Sequence, residues 1–275
     1  MNEDRKFEME IDIAAPRDAV WQALAEQEEL ERWFAPDAEV TPGVGGAVTW
    51  RWGDLHDWIS TIEVYTPGDH LRLRYDSAVP AAGGGMRPLF VDFHLEGAGG
   101  TTTLRLVHSG FGPEASFDAE FDGISGGWPV ELRSLRLYLE RHRGRDRQLA
   151  WARRSTQVEP EALWRALIGD GGLQAPKLTA LAEGATFRVD VAGAGAIAGR
   201  ALFVPGAREF SGVAQSLGDG WFRAHCERWA GATQCWLWLA LYDRPDAEVQ
   251  RFCAAFERLL DRAVAAATAT GEATA

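Results

Sequence analysis

The first ordered signal along the chain is strict alternation: Phe7, Met9, Ile11 and Ile13 are apolar and the residues between them charged, as in a strand with one wet face. Pro16 then opens a different rhythm. Behind Asp18, Val20, Trp21 and Leu24 recur at helical spacing, and the apolar stripe runs on to Leu30, Trp33 and Phe34 before Pro36 ends it, which predicts a bent helix or a pair of helices. From 38 to 109 the alternation returns in short segments, AVTWRW, DWISTIEVY, HLRLRYDS, PLFVDFHLE and TTTLRLVHSG, all rich in β-branched and aromatic residues. Between them stand TPGVGG, WGDLHD, TPGDH, SAVPAAGGG and GAGG, which are turn chemistry, so an antiparallel sheet is expected. In FDGISGGWPVELRSLRLYLE, from 121 to 140, Phe121, Ile124, Trp128, Leu132, Leu135 and Leu139 mark one face of a closing helix. Gly126 and Gly127 read as a small neck where the chain enters that helix, and Pro129 suits a first turn. Strand, helices, strands and a final helix make an α+β order in which the helices cover one face of the sheet.

The same order then recurs. STQVEPEALWRAL (155–167) repeats IDIAAPRDAVWQAL (11–24), with Pro160 and Trp164 in the places of Pro16 and Trp21. FVPGAREFSG (203–212) repeats VYTPGDHLRLR, and ATQCWLWLALYD (232–243) repeats TTTLRLVHSGFG. A closing helix, VQRFCAAFERLLDRAV, carries Phe252, Phe256 and Leu259 on one face. A period this long means two copies of one domain, not a solenoid, and the boundary belongs in the basic stretch at 141–153. Domains of 1–145 and 146–275 are expected.

Composition changes this picture in several ways. With 46% hydrophobic and 25% charged residues in 275, the chain has the means to bury a sizeable core. No apolar run approaches the ~18 residues of a membrane span, and MNEDRKFEMEIDI has no signal-peptide core, so a cytoplasmic protein without a membrane partner is expected. A net charge of −12 opposes a phosphate backbone, and the one basic cluster, RHRGRDRQ at 141–148, reads as a solvated linker, so no nucleic acid partner is expected. Cys226, Cys235 and Cys253 lack CxxC spacing and a partner for every one, and read as buried small hydrophobes. There is no HExxH, GxSxG, P-loop or strand-borne GxGxxG; no cofactor or metal is implied and no residue is assigned as catalytic. Twelve tryptophans, by contrast, exceed what a core of this size requires.

The stretches APRDAVWQAL, LERWF, PGVGG, LRLVHSGF and GGWPVELRSLRLYLE, in this order and spacing, resemble the START-like or SRPBCC helix-grip superfamily. Within it the chain is most similar to the branch of heat-shock-protein ATPase activator homologues. The likeness covers nearly all of residues 7 to 142. Residues 152 to 266 resemble a divergent second copy that lacks the RWF end of the helix pair, the PGVGG turn and the Gly-Gly-Trp neck. The resemblance implies tandem helix-grip domains, each an antiparallel sheet wrapped around a long carboxy-terminal helix, with an apolar cavity between. It would place Trp128 at the cavity end of the helix, the glycines letting the preceding loop pass close by. Superfamily members include lipid, hormone and metabolite binders and polyketide aromatase/cyclases.

Strand alternation directs Val48, Trp50 and Trp52 toward the helix, then Trp58, Ser60, Ile62 and Val64, then Leu71, Leu73 and Tyr75, then Val91, Phe93 and Leu95, and finally Leu104, Leu106 and His108. Most of these fill core. Large aromatics with polar tips also line concave ligand sites, and Trp33, Trp50, Trp52, Trp58, Tyr75, Phe93, His108 and Trp128 form the expected binding set, around either an open cavity or one filled by its own indoles. His108 would either orient a ligand or serve as a satisfied structural histidine. His56 and Asp57 read as turn residues; His94, Arg72, Arg74 and Arg105 fall on the outer face, the arginines pairing with Asp92 and similar carboxylates. The expected function is binding of a small apolar or aromatic molecule by the first domain, the second being its intramolecular packing partner. Two alternatives stand beside it: an enzyme of the polyketide aromatase/cyclase type, with His108, Tyr75 and Ser60 as its polar groups, and a chaperone-linked or regulatory protein-interaction module.

Overall fold

The alternating residues at the start of the chain form strand β1 (Arg5–Ile13), with Ile11 and Ile13 buried. The computed structural model describes residues 4–53, 57–80, 84–229 and 231–272, and the chain divides into two units between Gly144 and Arg145. In the first unit β1 leads into helices α1 (Arg17–Ala25) and α2 (Gln27–Trp33), separated at Glu26, whose extended backbone interrupts the stripe. Six further strands follow: β2 (Asp37–Thr41), β3 (Ala47–Arg51), β4 (Trp58–Thr66), β5 (His70–Pro80), β6 (Met86–Ala98) and β7 (Thr101–Phe111). Helix α3 (Asp118–Arg141) closes the unit. The strands make one antiparallel sheet in the order β1-β7-β6-β5-β4-β3-β2. Glycine is required in the β2–β3 turn, because a Cβ on Gly46 would lie 1.9 Å from the Thr41 carbonyl oxygen.

Two features depart from simple alternation. A β-bulge between Ile62 and Val64 sets Val64 opposite the outward-facing Arg72, so the inner position expected for Val64 passes to Tyr65, which lies opposite Leu71 with its ring 5.1 Å from that of Trp21. The second departure corrects the reading of the closing helix. α3 begins at Asp118, so Gly126, Gly127 and Pro129 lie inside it and not at its entry, and a Cβ on either glycine would meet nothing within 4 Å. Among the described residues no loop passes close beside them.

An internal proline and three glycines make the amino-terminal half of α3 a poor helix: proline costs about 3 kcal/mol, and each glycine about 1 kcal/mol against alanine. Side-chain ties hold it. Glu120 accepts hydrogen bonds from the Ser77 hydroxyl (2.6 Å) and the Ala78 N–H (3.1 Å), and Arg5 pairs with Asp118 at 2.6 Å. The carboxy-terminal half is held by burial of Val130, Leu132, Leu135, Tyr138 and Leu139. It is also tied to α2, where the Tyr138 hydroxyl donates to Glu29 at 2.7 Å. The stretch expected as a solvated linker is exposed at 141 and 143–146, but His142 is buried and Arg147 already begins the next strand.

The second unit contains β8 (Arg147–Thr156), α4 (Pro160–Ile168), β9 (Thr186–Val191), β10 (Gly195–Gly206), β11 (Glu209–Ala214), β12 (Gly220–Trp229), β13 (Ala232–Tyr242) and α5 (Asp246–Glu272). Its sheet runs β8-β13-β12-β11-β10-β9, winding as the first does with one strand fewer, and α4 stands where the first unit has two helices. Trp164, like Trp21, is buried on the helix after the first strand. Cys226 and Cys235, expected as buried small hydrophobes, are buried and face each other across β12 and β13 with their sulfurs 2.6 Å apart, while Cys253 is half-buried. Both units are thus α+β folds with an antiparallel sheet and a long closing helix.

Candidate functional site

The amino-terminal half of α3 lies over an aromatic surface supplied by β3, β4, β5, β6 and the end of α2. Its centre is Phe34, the residue that caps α2 just before Pro36. The Phe34 ring meets Trp50 edge-on at 5.5 Å and Trp52 edge-on at 5.3 Å, leans on Trp33 at 5.0 Å and stacks parallel to Trp128 at 6.3 Å. Trp58 packs edge-on against Trp52 at 5.0 Å, and Phe93 against Trp128 at 5.7 Å. Edge-on packing suits the aromatic quadrupole. It also leaves Phe34, Trp50, Trp52, Trp58 and Trp128 only half-buried.

At the α3 side this surface acquires a polar relay. The Trp128 indole N–H donates to His108 Nδ1 at 2.8 Å, and His108 Nε2 lies 2.9 Å from the Tyr75 hydroxyl. An indole can only donate, so Nδ1 must be the bare, accepting nitrogen of the imidazole. The ring proton therefore sits on Nε2 and points at the Tyr75 oxygen, which accepts it. His108 is 2% exposed, and burial pushes its pKa down to about 3, which keeps the ring neutral and this tautomer in place. Burial, reinforced by the Glu120 carboxylate, pushes the Tyr75 phenol well above its ordinary value, so it stays protonated. Tyr75 has then accepted one hydrogen bond and still carries a proton for which the described residues offer no acceptor.

A second donor is left over. The Trp50 indole nitrogen is buried and bonds nothing among the described residues. A buried polar group without a partner costs about 1–3 kcal/mol. Trp33 differs: its N–H donates to the Ala23 carbonyl at 2.7 Å and the residue is 2% exposed, so it supports Phe34 from behind.

All eight residues of the expected set, Trp33, Trp50, Trp52, Trp58, Tyr75, Phe93, His108 and Trp128, are thus linked through ring contacts or hydrogen bonds. Phe34, which joins them, was absent from that set. Its position within LERWF was the available signal, but a helical stripe assigns it to core without showing that it ends the helix. Of the proposed turn residues, Asp57 accepts from Arg51 at 3.1 Å, and His56 lies outside the described residues. The outer-face arginines pair as their alternation suggests: Arg105 with Glu8 (2.6 Å), Arg74 with Asp76 (3.1 Å) and Arg72 with Glu63 (3.3 Å) and Asp92 (3.7 Å).

The corresponding interior of the second unit is filled. Phe187, Phe210, Phe222, Phe252 and Phe256 interlock with ring centroids 4.9–6.4 Å apart, and each is at most 5% exposed.

A sheet gripping a long carboxy-terminal helix, with an aromatic-lined region beneath that helix, defines the helix-grip class of α+β proteins. Residues 14–140 match the family model described as "Activator of Hsp90 ATPase homolog 1-like protein", so the first unit is similar to members of this family. A search of curated proteins found no match. Solved structures with detectable likeness include the Aha1 dimer from Colwellia psychrerythraea (23% identity, 51% of this chain and 99% of that one, TM-score 0.43). DynU16, a protein in the dynemicin biosynthetic locus, is 17% identical over 96% of this chain and 100% of its own (TM-score 0.43). The di-domain ARO/CYC BexL from the BE-7585A biosynthetic pathway is 15% identical over 96% and 98% (TM-score 0.45). At such scores and identities these likenesses carry no weight for function. Among the described residues no helix is long and apolar enough to cross a membrane.

Proposed function

We propose that the first unit binds a small apolar or aromatic molecule bearing a hydrogen-bond acceptor, such as a ketone or quinone oxygen, between its sheet and the amino-terminal half of α3. The observation that carries this reading is the fixed direction of the relay: Trp128 sets the His108 tautomer, His108 donates to Tyr75, and the Tyr75 proton remains available beside half-buried aromatic walls. The unpaired Trp50 N–H is a second donor for the same kind of ligand. We further propose that 1–145 and 146–275 are copies of one domain, supported by the common winding of the two sheets, and that the second copy, its interior filled, has kept the fold without the site.

The relay argues against acid/base chemistry of the aromatase/cyclase kind. A general acid or base works best with a pKa near the working pH, and His108 is held down to about 3 while Tyr75 is pushed up. A binding site needs only the donor. The test pairs 2-acetylnaphthalene with 2-ethylnaphthalene, which lacks the carbonyl, in tryptophan-fluorescence titrations of wild type and Tyr75→Phe. One hydrogen bond is worth about 0.5–1.5 kcal/mol net, so the variant is expected to lose about 3- to 10-fold in ketone affinity and almost nothing for the hydrocarbon. Equal losses for both probes, or none for either, would remove the basis of the reading.

A further inference from the structure

On the face of the first sheet that points away from α3, three side chains are gathered that the aromatic site does not use. The inner positions of β5 and β6 are Leu71, Leu73, Val91, Phe93 and Leu95, all buried, so His70, Asp92 and His94 stand on the outer face. His70 lies directly opposite His94, and Asp92 opposite Arg72. The Leu95 N–H donates to the Asp69 carbonyl at 2.8 Å, which makes 69/95 a hydrogen-bonded pair and 70/94 a non-hydrogen-bonded one, the kind in which facing side chains come closest. The two imidazoles accordingly stack with centroids 4.1 Å apart and planes 23° from parallel. His70 Nε2 is 2.7 Å from Asp92 Oδ1, and one ligating atom from each of the three residues lies within 4.8 Å of the others.

We propose that His70, Asp92 and His94 form a binding site for a divalent transition metal of the zinc class. Two imidazoles and a carboxylate are a donor set that zinc accepts, with bonds of about 2.0–2.2 Å, so its ligand atoms stand roughly 3.5 Å apart; the atoms are already near that spacing, and the stacked rings must turn to aim their in-plane lone pairs at one ion. Charge supports it. Asp92 is 6% exposed, and its arginine neighbour Arg72 stands 3.7 Å away and is shared with Glu63. Arg105, the residue opposite His94 on β7, is engaged by Glu8 on β1. Both histidines are half-buried, which leaves the side facing solvent for water as a fourth ligand. Three protein ligands on two neighbouring strands would pin β5 to β6 at the end away from the turn that joins them.

The full chain, stripped with EDTA and freed of chelator, is titrated with zinc chloride in competition with a chromophoric zinc indicator. One equivalent is expected to bind, with affinity reduced at least about tenfold in each of His70→Gln, His94→Gln and Asp92→Asn, and unchanged in His225→Gln, a histidine of the second unit beside Glu227. Zinc should also raise the melting temperature of wild type and not that of His94→Gln; because each protein is compared with itself, a variant of lower stability still gives a reading. Absence of binding to wild type, or equal zinc affinity in wild type and His94→Gln, would overturn the proposal.

Discussion

Acid should act on the first unit through His108 in a measurable way. The imidazole, 2% exposed, accepts from an indole that cannot turn into an acceptor, so a second ring proton has no place to go. Its pKa falls from 6.5 to about 3 on folding. The sign follows from proton counting: below pH 6.5 the unfolded chain binds a proton that the folded chain refuses, so stability is full above 6.5 and falls as the pH drops toward 3. The slope is about 1.4 kcal/mol per pH unit, which gives a loss of roughly 3 kcal/mol at about pH 4.5 and a ceiling near 5 kcal/mol. Urea unfolding of wild type and His108→Gln at about pH 7 and 4.5, fitted with separate transitions for the two units, isolates the effect, because carboxylate titration is common to both proteins and cancels. Glutamine can still accept from Trp128 and donate to Tyr75, so the variant should narrow its stability gap to wild type, or overtake it, by about 3 kcal/mol on acidification. A gap that changes by less than about 1 kcal/mol would refute the assignment of a neutral, locked His108.

Phe34→Ala should cost about 3–5 kcal/mol and abolish binding of 2-acetylnaphthalene, since four rings lose their common neighbour. Gly126→Ala should stabilise by about 0.5–1 kcal/mol in thermal or urea unfolding, because the added methyl meets nothing within 4 Å and the position is helical; destabilisation would show that the space is filled. Replacing Glu120 with Gln should speed amide exchange across 118–128 and leave 130–141 unchanged, as only the first segment depends on the bonds to Ser77 and Ala78. Cys226, buried and with its thiol pKa raised by that burial, should resist a disulfide-exchange reagent in the native protein and react once urea is added.

The sheet strands from β3 to β7 could be read from alternation because each has one buried and one wet face. β2 could not: in DAEVT only Ala38 is buried, too little for a period to show. The aromatic set was legible for the same reason as the strands, since inward positions can be counted. Its chemistry was not, because the direction of the Trp128–His108–Tyr75 relay depends on which atoms meet across α3, β7 and β5. The start of α3 was misread because Gly-Gly-Trp-Pro is a good helix entry by local rules, and what carries the helix through it is tertiary: Glu120 on Ser77, Arg5 on Asp118 and Trp128 on His108. The facing of Cys226 and Cys235 and the meeting of His70 with His94 are matters of strand register, which no spacing along the chain displays.

The pairing of β1 with β7 has a consequence for how the protein is made. Arg5 sits opposite Phe111 and Ile13 opposite Thr102, so β1, once out of the ribosome, waits for nearly the whole unit before it finds its neighbour. At about 5–20 residues per second that wait is on the order of 5–20 s, and α3 arrives later still. Contacts so distant in sequence make folding slow and nearly all-or-none. The second unit repeats the arrangement, with Arg147 opposite Tyr242 on β13. Each unit is therefore closed by its own first and last strands, so the amino-terminal one has every strand it needs before β13 has been translated.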